Sequence, residues 1–298
     1  MKNSFYSSFE NQHRGSTELI KRRLDVYIPF ITPLLRIYPT SIALDLGCGR
    51  GEWLSLVQDL GFDARGVDLD EGMLSYCHDM KLNVENKDIL SFLQTIPDES
   101  ISLVSSFHVI EHIGFENLKE LVQESYRVLK PGGLLIMETP NAENIIVGTN
   151  NFFLDPTHDK PIPRQLLIFL VEYIGFKKNK ILRLQENKEL YYEENITLLS
   201  VLNGVSPDYS VIAQKNAADN ILSQFDSEFK KEFGLSIDVL AERYQSKIDE
   251  KLNELDKLIL EMNHEILQIK NEHDEWREII DKIKNIMDPI LWVKNKFK

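Results

Sequence analysis

Residues 41–53 constrain the fold more than any other stretch, because they join a short apolar run to a glycine-rich turn. The run at residues 42–46 predicts a strand that is buried on both faces of a parallel sheet. Gly47, Gly49 and Gly51 follow, and without Cβ atoms they let the backbone turn sharply and lie close to a ligand. A helix predicted directly after the loop would offer unpaired N–H groups at its start. The stretch therefore predicts an α/β fold with a binding loop for a nucleoside-bearing ligand.

Two acidic residues downstream strengthen this interpretation. Asp68 ends the second predicted strand, 17 residues after Gly51, where a carboxylate can accept hydrogen bonds from both ribose hydroxyls. Asp88 stands beside Ile89, a small apolar side chain that can flank an adenine ring. A glycine turn can also be purely structural, and dinucleotide-binding enzymes use a similar loop. The loop here, however, closes one residue earlier than G-x-G-x-x-G and is preceded by Asp45.

The segment D-L-G-C-G-R-G at residues 45–51 resembles the first motif of the class I S-adenosylmethionine-dependent methyltransferases, with Asp68 and Asp88 at the family's ribose and adenine positions. The resemblance spans residues 41 to about 215. It implies a Rossmann-like seven-stranded sheet with flanking helices, S-adenosyl-L-methionine as cofactor, and a role for Asp45 in holding the methionine amino group. The candidate cofactor-binding residues are Arg14, Asp45, Gly47, Gly49, Gly51, Asp68, Asp88, Ile89 and Phe107.

Alternating strand and helix patterns continue through the middle of the chain. Further strands are predicted at residues 64–68, 102–107, 134–139, 180–184 and 209–214. Helices are predicted at residues 52–60, 72–80, 118–129 and 165–173. Such alternation is typical of α/β proteins with helices on both faces of a mostly parallel sheet.

Composition narrows the classes of function and partner. The 298 residues permit one or two domains, and 43% apolar content is enough for a core. A net charge of −13 disfavours nonspecific nucleic-acid binding, so no nucleic-acid partner is expected. Cys48 and Cys77 have no metal-site spacing, and no apolar stretch approaches the ~18 residues of a membrane span. These features predict a cytoplasmic location.

Residues 1–40 precede the sheet and predict a helical lid that closes over the cofactor. Pro29, Pro33 and Pro39 are expected to break its path. Arg14 is the candidate partner of the methionine carboxylate. The alternative is a solvated arginine on a loop.

Residues 108–113 follow the fourth predicted strand, where doubly wound sheets bind their ligands. His108, Glu111 and His112 are catalytic candidates, because an imidazole can take the proton of a hydroxyl and a carboxylate can orient or replace it. In a helix they would share one face, a spacing that also fits a metal ion if another element supplies a ligand. Metal binding by Glu111 and His112, and simple capping or packing, stay open. The segment resembles the E-H element after strand four in methyltransferases of the ubiquinone-pathway type.

Residues 150–161 are polar and irregular and predict a loop. Loops at this end of a sheet often carry acceptor specificity, so the aromatic rings beside Asp155 and His158 are candidates for contact with a sugar face and its hydroxyls. His158 is accordingly a fourth catalytic candidate. The alternative is a proline-rich connector.

Three motifs together resemble methyltransferases encoded with bacterial surface-polysaccharide machinery of the O-antigen type. They are F-Y-x-x-F-E at residues 5–10 with R-G-S at 14–16, F-H-V-I-E-H at 107–112, and L-D-P-T-H at 154–158. This resemblance implies O-methylation of a surface-glycan hydroxyl, which can terminate chain growth, and a glycosyltransferase partner. Two alternatives stay open: a small-molecule, quinone-like O-methyltransferase, and a noncatalytic coiled-coil assembly module with a cofactor-binding fold.

The C-terminal part of the chain predicts one long helix. Eleven of the twelve a and d positions between residues 248 and 287 are apolar, which is more than a surface helix needs. This pattern predicts a coiled-coil helix and a homo-oligomer, with a helix folded back onto its own domain as the alternative.

Residues 289–298 join aromatic anchors to three lysines and predict peripheral contact with an anionic membrane at its inner face. The alternative is a solvated tail. The predicted domains are a helical lid at 1–40, the methyltransferase domain at 41–217, a helical region and coiled coil at 218–288, and a basic amphipathic tail at 289–298.

Overall fold

The computed structural model describes residues 15–296, with side chains up to Asp288. Arg14, and the side chains of the predicted tail at residues 289–298, lie outside the described residues. The chain divides into two compact units, Met1–Ala241 and Glu242–Lys298, and each is described by itself.

A seven-stranded sheet organises the first unit. Its strands are β1 (Ile42–Leu46), β2 (Asp63–Asp68), β3 (Asn83–Asn86), β4 (Ile101–Phe107), β5 (Leu129–Pro140), β6 (Lys178–Leu184) and β7 (Asp208–Gln214). Their order is β3-β2-β1-β4-β5-β7-β6. Neighbours from β3 to β5 are parallel, whereas β7 is antiparallel to both β5 and β6. This mixed sheet confirms the predicted fold class.

Helices surround the sheet. In the first unit they are α1 (Thr17–Leu24), α2 (Ile28–Ile37), α3 (Glu52–Leu60), α4 (Glu71–Asp79), α5 (Ile89–Leu93), α6 (Gly114–Val128), α7 (Ile145–Thr149), α8 (Arg164–Ile174), α9 (Leu198–Asn203), α10 (Asp219–Leu222) and α11 (Asp226–Lys230). The last helix, α12 (Ile237–Lys296), begins in the first unit and forms the second. One apolar cluster contains Phe30 of α2, Trp53 of α3 and Leu74 of α4. A second contains Leu118 of α6 and Leu170 of α8. Both clusters include strand residues, so the sheet is buried between two layers of helices.

The strand between α6 and α7 is longer than the sequence predicts. Leu129 pairs with Ile101, and the next pair joins Leu134 to Leu103. Four residues of β5 therefore oppose a single residue of β4, as in a wide irregularity of the ladder. Gly132 makes this possible because its φ of +79° lies in the region that favours glycine. Residues 130–133, which lie between the predicted helix and the predicted strand, form an irregular segment within β5.

The expectation that prolines break the N-terminal segment is wrong for two of the three residues. Pro29 and Pro33 both lie in α2. Pro29 occupies the first turn, where the missing N–H has no intrahelical partner to lose. Pro33 lies inside the helix. It is tolerated there because tertiary packing stabilises the helix, whose buried residues are Phe30, Ile31, Pro33 and Leu34. The helix ends at Ile37, before Pro39.

The long C-terminal helix confirms the predicted element. Exposed apolar side chains run along it at the predicted spacing, among them Leu252, Ile259 and Ile266 at 54%, 53% and 58% exposure. Its pairing with another helix stays a prediction. Within the residues that the structure describes, no helix has the length and apolar character that a membrane span requires.

Candidate active site

A cleft of about 610 Å³ opens in the first unit beyond the carboxyl ends of β1, β2 and β4. The strand order reverses at β1 and β4, which is where α/β sheets bind their ligands. Helix α1 contributes Ile20, Arg23 and Leu24 to the wall. The predicted lid segment therefore forms one side of this cleft.

The glycine loop forms one end of the cleft. Gly47, Gly49 and Gly51 have φ values of +77°, +51° and +80°, which strain any residue with a Cβ. A Cβ on Gly47 would lie 2.3 Å from Cγ2 of Val109, and a Cβ on Gly51 would lie 2.5 Å from Cδ1 of Leu82. Gly47 and Gly49 line the cleft, whereas Gly51 begins the turn into α3 behind it. Val109 and Leu82 occupy the space that side chains at Gly47 and Gly51 would need, so only bare backbone fits at these two positions.

Two predicted carboxylates face the glycine loop. The carboxylate of Asp68 accepts hydrogen bonds from the backbone N–H groups of Gly49 and Asp70, both at 2.8 Å. Asp45 is buried at 3% exposure, and its Oδ1 accepts a hydrogen bond from Oγ of Ser105 at 2.8 Å. Each carboxylate oxygen carries two lone pairs, so Asp68 can accept ribose hydroxyls in addition to its backbone donors.

Asp88, Ile89 and Phe107 also line the cleft. Asp88 is the N-cap of α5, because its Oδ1 accepts a hydrogen bond from the N–H of Ser91 at 2.9 Å. The cap fixes this carboxylate at the cleft wall. Phe107 ends β4 and packs edge-on against Trp53, with ring centroids 5.2 Å apart. The structure thus gathers the described members of the predicted cofactor set around one end of the cleft.

His108 follows β4 directly and lies between two carboxylates. Its Nδ1 is 3.4 Å from Oε1 of Glu111, and its Nε2 is 3.5 Å from Oε1 of Glu138. Enclosure in the cleft lowers the pKa of His108, but the contacts with both carboxylates and the charge of Asp208 outweigh it and raise the pKa well above its usual value. Burial raises the pKa of Glu111, but the neighbouring His108 outweighs this effect and lowers that pKa below its usual value. The two carboxylates therefore favour the protonated form of His108.

Sequence reasoning missed three residues that line the cleft beside His108: Glu138, Gln185 and Asp208. Glu138 is 5% exposed and accepts hydrogen bonds from the hydroxyl of Tyr27 and from Nε2 of Gln185 at 3.1 Å. Burial raises the pKa of Asp208 to about 6, although the charge of His108 acts in the opposite direction. The available signal was Glu138 itself, an acid inside an apolar strand, where charged residues are rarely buried without a partner.

The irregular loop after α7 brings His158 against His112, with ring centroids 4.6 Å apart. Nδ1 of His112 lies 2.9 Å from Oγ1 of Thr157, and Nδ1 of His158 lies 2.5 Å from the carbonyl oxygen of Phe152. His112, His158 and the buried Asp155 all line the cleft. Two segments more than forty positions apart therefore meet at the wall of the cleft, in a group of side chains called here the acceptor end after the predicted role of this loop.

The helical arrangement considered for residues 108–113 is wrong. His108 has a φ of +54°, which an α-helix cannot accommodate, and the segment forms a turn. Among the side chains of residues 15–288, two groups offer ligand atoms within 4.8 Å of one another: Glu111, His112 and His158, and His108, Glu138 and Asp208. His158 would be the further ligand that a metal site at Glu111 and His112 needs, so the first group could hold a divalent cation.

Comparison with known proteins decides the family. A family model described as a methyltransferase domain matches residues 44–137. The crystal structure of a SAM-dependent methyltransferase from Archaeoglobus fulgidus is 34% identical, with 71% of this chain and 100% of that chain covered and a TM-score of 0.63. The chain belongs to the S-adenosylmethionine-dependent methyltransferases.

Curated relatives of this methyltransferase match over shorter spans. It is 31% identical over 134 residues to a probable S-adenosylmethionine-dependent methyltransferase of Mycolicibacterium smegmatis. The aligned residues cover 45% of this chain and 51% of that protein. A ubiquinone biosynthesis O-methyltransferase of Hydrogenovibrio crunogenus is 24% identical over 179 residues, covering 52% of this chain and 73% of that protein. The methyltransferase spans about half the length of the first curated relatives it matches.

The cofactor of this methyltransferase is S-adenosylmethionine, and the glycine-loop end of the cleft fits it. Gly47 and Gly49 line the cleft without side chains, so the backbone can lie close to the ligand. Asp68 offers a carboxylate fixed by two backbone donors, as a ribose diol requires. Individual roles for the predicted cofactor residues stay proposals, as does that of Arg14.

Proposed function

We propose that this methyltransferase transfers the methyl group of S-adenosylmethionine to a sugar hydroxyl of a bacterial surface glycan, and that the added methyl group ends chain growth. One observation carries the proposal: the glycine loop and the segments with His112 and His158 line the same cleft. A neutral acceptor also suits a chain with a net charge of −13.

When bound, S-adenosylmethionine supplies a methyl group on a positively charged sulfur. Gly47, Gly49 and Asp68 would hold the cofactor beside the acceptor, and His112 would take the proton of the acceptor hydroxyl as its oxygen replaced sulfur, which would keep the bonding electron pair, on the methyl carbon. His108 has a different role in this proposal, because its contacts with Glu111 and Glu138 favour its protonated form. As an imidazolium it faces Glu111 with one ring nitrogen and Glu138 with the other, so its proposed role is to hold these two carboxylates in place at the cleft wall.

The loop that carries His158 is the proposed acceptor-binding surface. Phe153 and Leu154 are 58% and 54% exposed, and Leu154 lines the cleft. Beside them, Asp155 and His158 supply polar groups. A sugar ring presents an apolar C–H face and several hydroxyls, so such a mixed surface matches it better than a purely apolar pocket does.

The decisive test is a transfer assay with methyl-labelled cofactor and three acceptor classes: lipid-linked glycans, free sugars and phenolic small molecules. We expect label in a glycan hydroxyl. Label that appears only in phenolic compounds would overturn the glycan acceptor. Repeating the assay with a chelator adds a second answer. Activity lost on chelation and restored by a divalent ion would assign Glu111, His112 and His158 to a metal instead of proton transfer.

A quinone-like small molecule is the second candidate acceptor. It is favoured by similarity to the ubiquinone biosynthesis O-methyltransferase of Hydrogenovibrio crunogenus, which covers 73% of that protein. The phenolic arm of the assay tests it directly. Calorimetric titration with S-adenosylmethionine separates both enzymes from a noncatalytic assembly module, since a protein without a cofactor site would release no binding heat.

We also propose that a second copy of this chain covers the apolar seam of α12. A seam with Leu252, Ile259 and Ile266 each more than half exposed needs a facing helix to exclude water. Light scattering should show an oligomer for the full chain and dissociation for the variant with Ile259→Asp and Ile266→Asp. The matched control carries Lys257→Asp and His264→Asp, which lie outside the a and d positions and should leave assembly intact. A full chain that is monomeric, or a seam variant that still assembles, would refute the seam.

The tail at residues 289–298 is proposed to bring the enzyme to the inner face of a membrane, near a glycosyltransferase partner. Lysines contribute about 1 kcal/mol each near an anionic surface, so one tail would bind weakly and an oligomer more strongly. Co-sedimentation with vesicles of anionic phospholipid should retain the full chain at low salt. Equal sedimentation with neutral vesicles, or none at all, would remove this proposal.

A further inference from the structure

Three side chains at the acceptor end of the cleft form one hydrogen-bonded row. Oγ1 of Thr157 lies 2.6 Å from Oδ1 of Asp155 and 2.9 Å from Nδ1 of His112. The backbone N–H of Thr157 also donates to Oδ1 of Asp155, at 2.8 Å. Thr157 therefore stands between a carboxylate and the imidazole proposed to accept the proton.

The direction of these hydrogen bonds follows from the charge of Asp155. Its Oδ1 accepts both the backbone N–H and the hydroxyl of Thr157, at 2.8 and 2.6 Å, and two donors on one oxygen suit an ionised carboxylate. An ionised carboxylate only accepts, so the single hydroxyl proton of Thr157 must point to Asp155. Oγ1 is then left as an acceptor, and the hydrogen atom between Thr157 and His112 belongs to Nδ1 of the imidazole.

A neutral imidazole carries one proton, so a proton on Nδ1 leaves Nε2 of His112 with a free lone pair. The neighbouring contacts hold this arrangement in place. The backbone N–H of Asp159 donates to the carbonyl oxygen of Glu111 at 2.9 Å, which ties the loop to the turn that carries His112. The ring of His158 packs against that of His112 at 60°.

We propose that Thr157, backed by Asp155, is a positioning residue that holds His112 in the tautomer protonated on Nδ1 and thereby leaves Nε2 to accept the proton of the substrate hydroxyl. The proposal rests on the proposed methyl transfer. It adds that the acceptor loop tunes the base as well as binding the acceptor.

Thr157→Val and Thr157→Ser form a matched pair. Valine keeps the shape of threonine and the backbone N–H that donates to Asp155, but it removes the hydroxyl, whereas serine keeps the hydroxyl. Nitrogen NMR of the full chain with isotope-labelled histidine reads the tautomer of His112 without any acceptor, and the signal is assigned by its absence in His112→Gln. In parallel, methyl transfer to a lipid-linked glycan fraction gives kcat and KM.

We expect the Nδ1–H tautomer in the wild-type protein and in Thr157→Ser, and the Nε2–H tautomer in Thr157→Val. The valine variant should lose about tenfold or more in kcat, a part of the ~10²–10⁴-fold contribution of a general base, with an unchanged KM for S-adenosylmethionine. The variant Thr157→Ser should keep the Nδ1–H tautomer of His112 and the kcat of the wild-type protein. A wild-type His112 protonated on Nε2, or a valine variant with full kcat, would overturn the proposal. If the wild-type protein transfers no methyl group, the proposed function fails, while the NMR result still decides the tautomer.

Discussion

The two ends of the cleft are built in different ways. The cofactor end comes from one continuous stretch, the glycine loop after β1, and the carboxylate of Asp68 on the neighbouring strand, and its contacts are largely to backbone. The acceptor end gathers side chains from segments far apart in the chain, such as His112, His158 and Glu138. The first end depends on local backbone geometry. The second depends on which distant segments the fold brings together. The variants proposed next change the two ends separately.

The largest expected effect lies at the acceptor end. His112→Ala should lower kcat by ~10²–10⁴-fold, because it removes the proposed proton acceptor. The affinity for S-adenosylmethionine, measured by calorimetry, should not change, since the glycine loop is intact. His78→Ala, an exposed histidine on α4, is the matched control and should keep wild-type kcat. A loss of cofactor binding in His112→Ala would mean that the two ends are not separable.

At the cofactor end, Gly47→Ala should lower the free energy of unfolding by about 2–5 kcal/mol and abolish measurable cofactor binding. The positive φ costs about 1–2 kcal/mol for a residue with a Cβ, and the collision with Val109 adds an overpacking cost of about 1–3 kcal/mol. Gly61→Ala is the control, because its φ of +107° imposes strain while no atom lies within 4 Å. Equal losses in both variants would show that strain alone matters.

A smaller loss of cofactor affinity is expected from Asp68→Ala. A hydrogen bond to a charged group contributes about 1.5–3 kcal/mol, so the dissociation constant of S-adenosylmethionine should rise by about 10–100-fold. Because saturating cofactor can compensate, kcat should fall less than KM rises. Asp63→Ala, which removes an exposed partner of Arg65, should have no effect on either. A fall in kcat without weaker binding would place Asp68 in the chemical step.

The smallest effect concerns pH and His108. Its pKa is raised in the folded protein, so its contribution to stability is complete below its ordinary pKa of about 6.5 and is lost as pH rises through the folded value. The Tm of His108→Gln should therefore fall furthest below wild type near pH 6 and approach it at alkaline pH. The difference should be a few degrees at most, because 44% of the side chain is exposed and water weakens its ion pairs. A difference in Tm between the wild-type protein and His108→Gln that grows with pH would contradict the raised pKa of His108.

The local elements could be predicted closely from the sequence. β1 and α3 have the predicted bounds, and β2, β4 and β7 begin one residue before the predicted position. The spacing of apolar residues and the positions of glycines are enough to predict the bounds of such short, strongly patterned segments. The prediction that prolines break the α2 segment was wrong, because packing of Phe30 and its neighbours outweighs the low helix propensity of proline.

The candidate site could be predicted in part. His108, Glu111, His112 and His158 were named from residue type and position after predicted strands, and the structure brings them together. Glu138 and Asp208 were missed because their strands reach the cleft through the order β4-β5-β7, which periodicity does not encode. The roles of these residues stay predictions for the experiments above.

The sequence by itself determined the glycine loop, the acid that ends β2 and the apolar seam of α12, because each is a pattern within a few neighbouring residues. Only the tertiary structure decided that His112 meets Thr157 and that His108 lies between Glu111 and Glu138. The physical reason is the range of the forces involved. Backbone preferences act along the chain, whereas the direction of a hydrogen bond and the pKa of an imidazole depend on groups that only folding brings within a few ångströms.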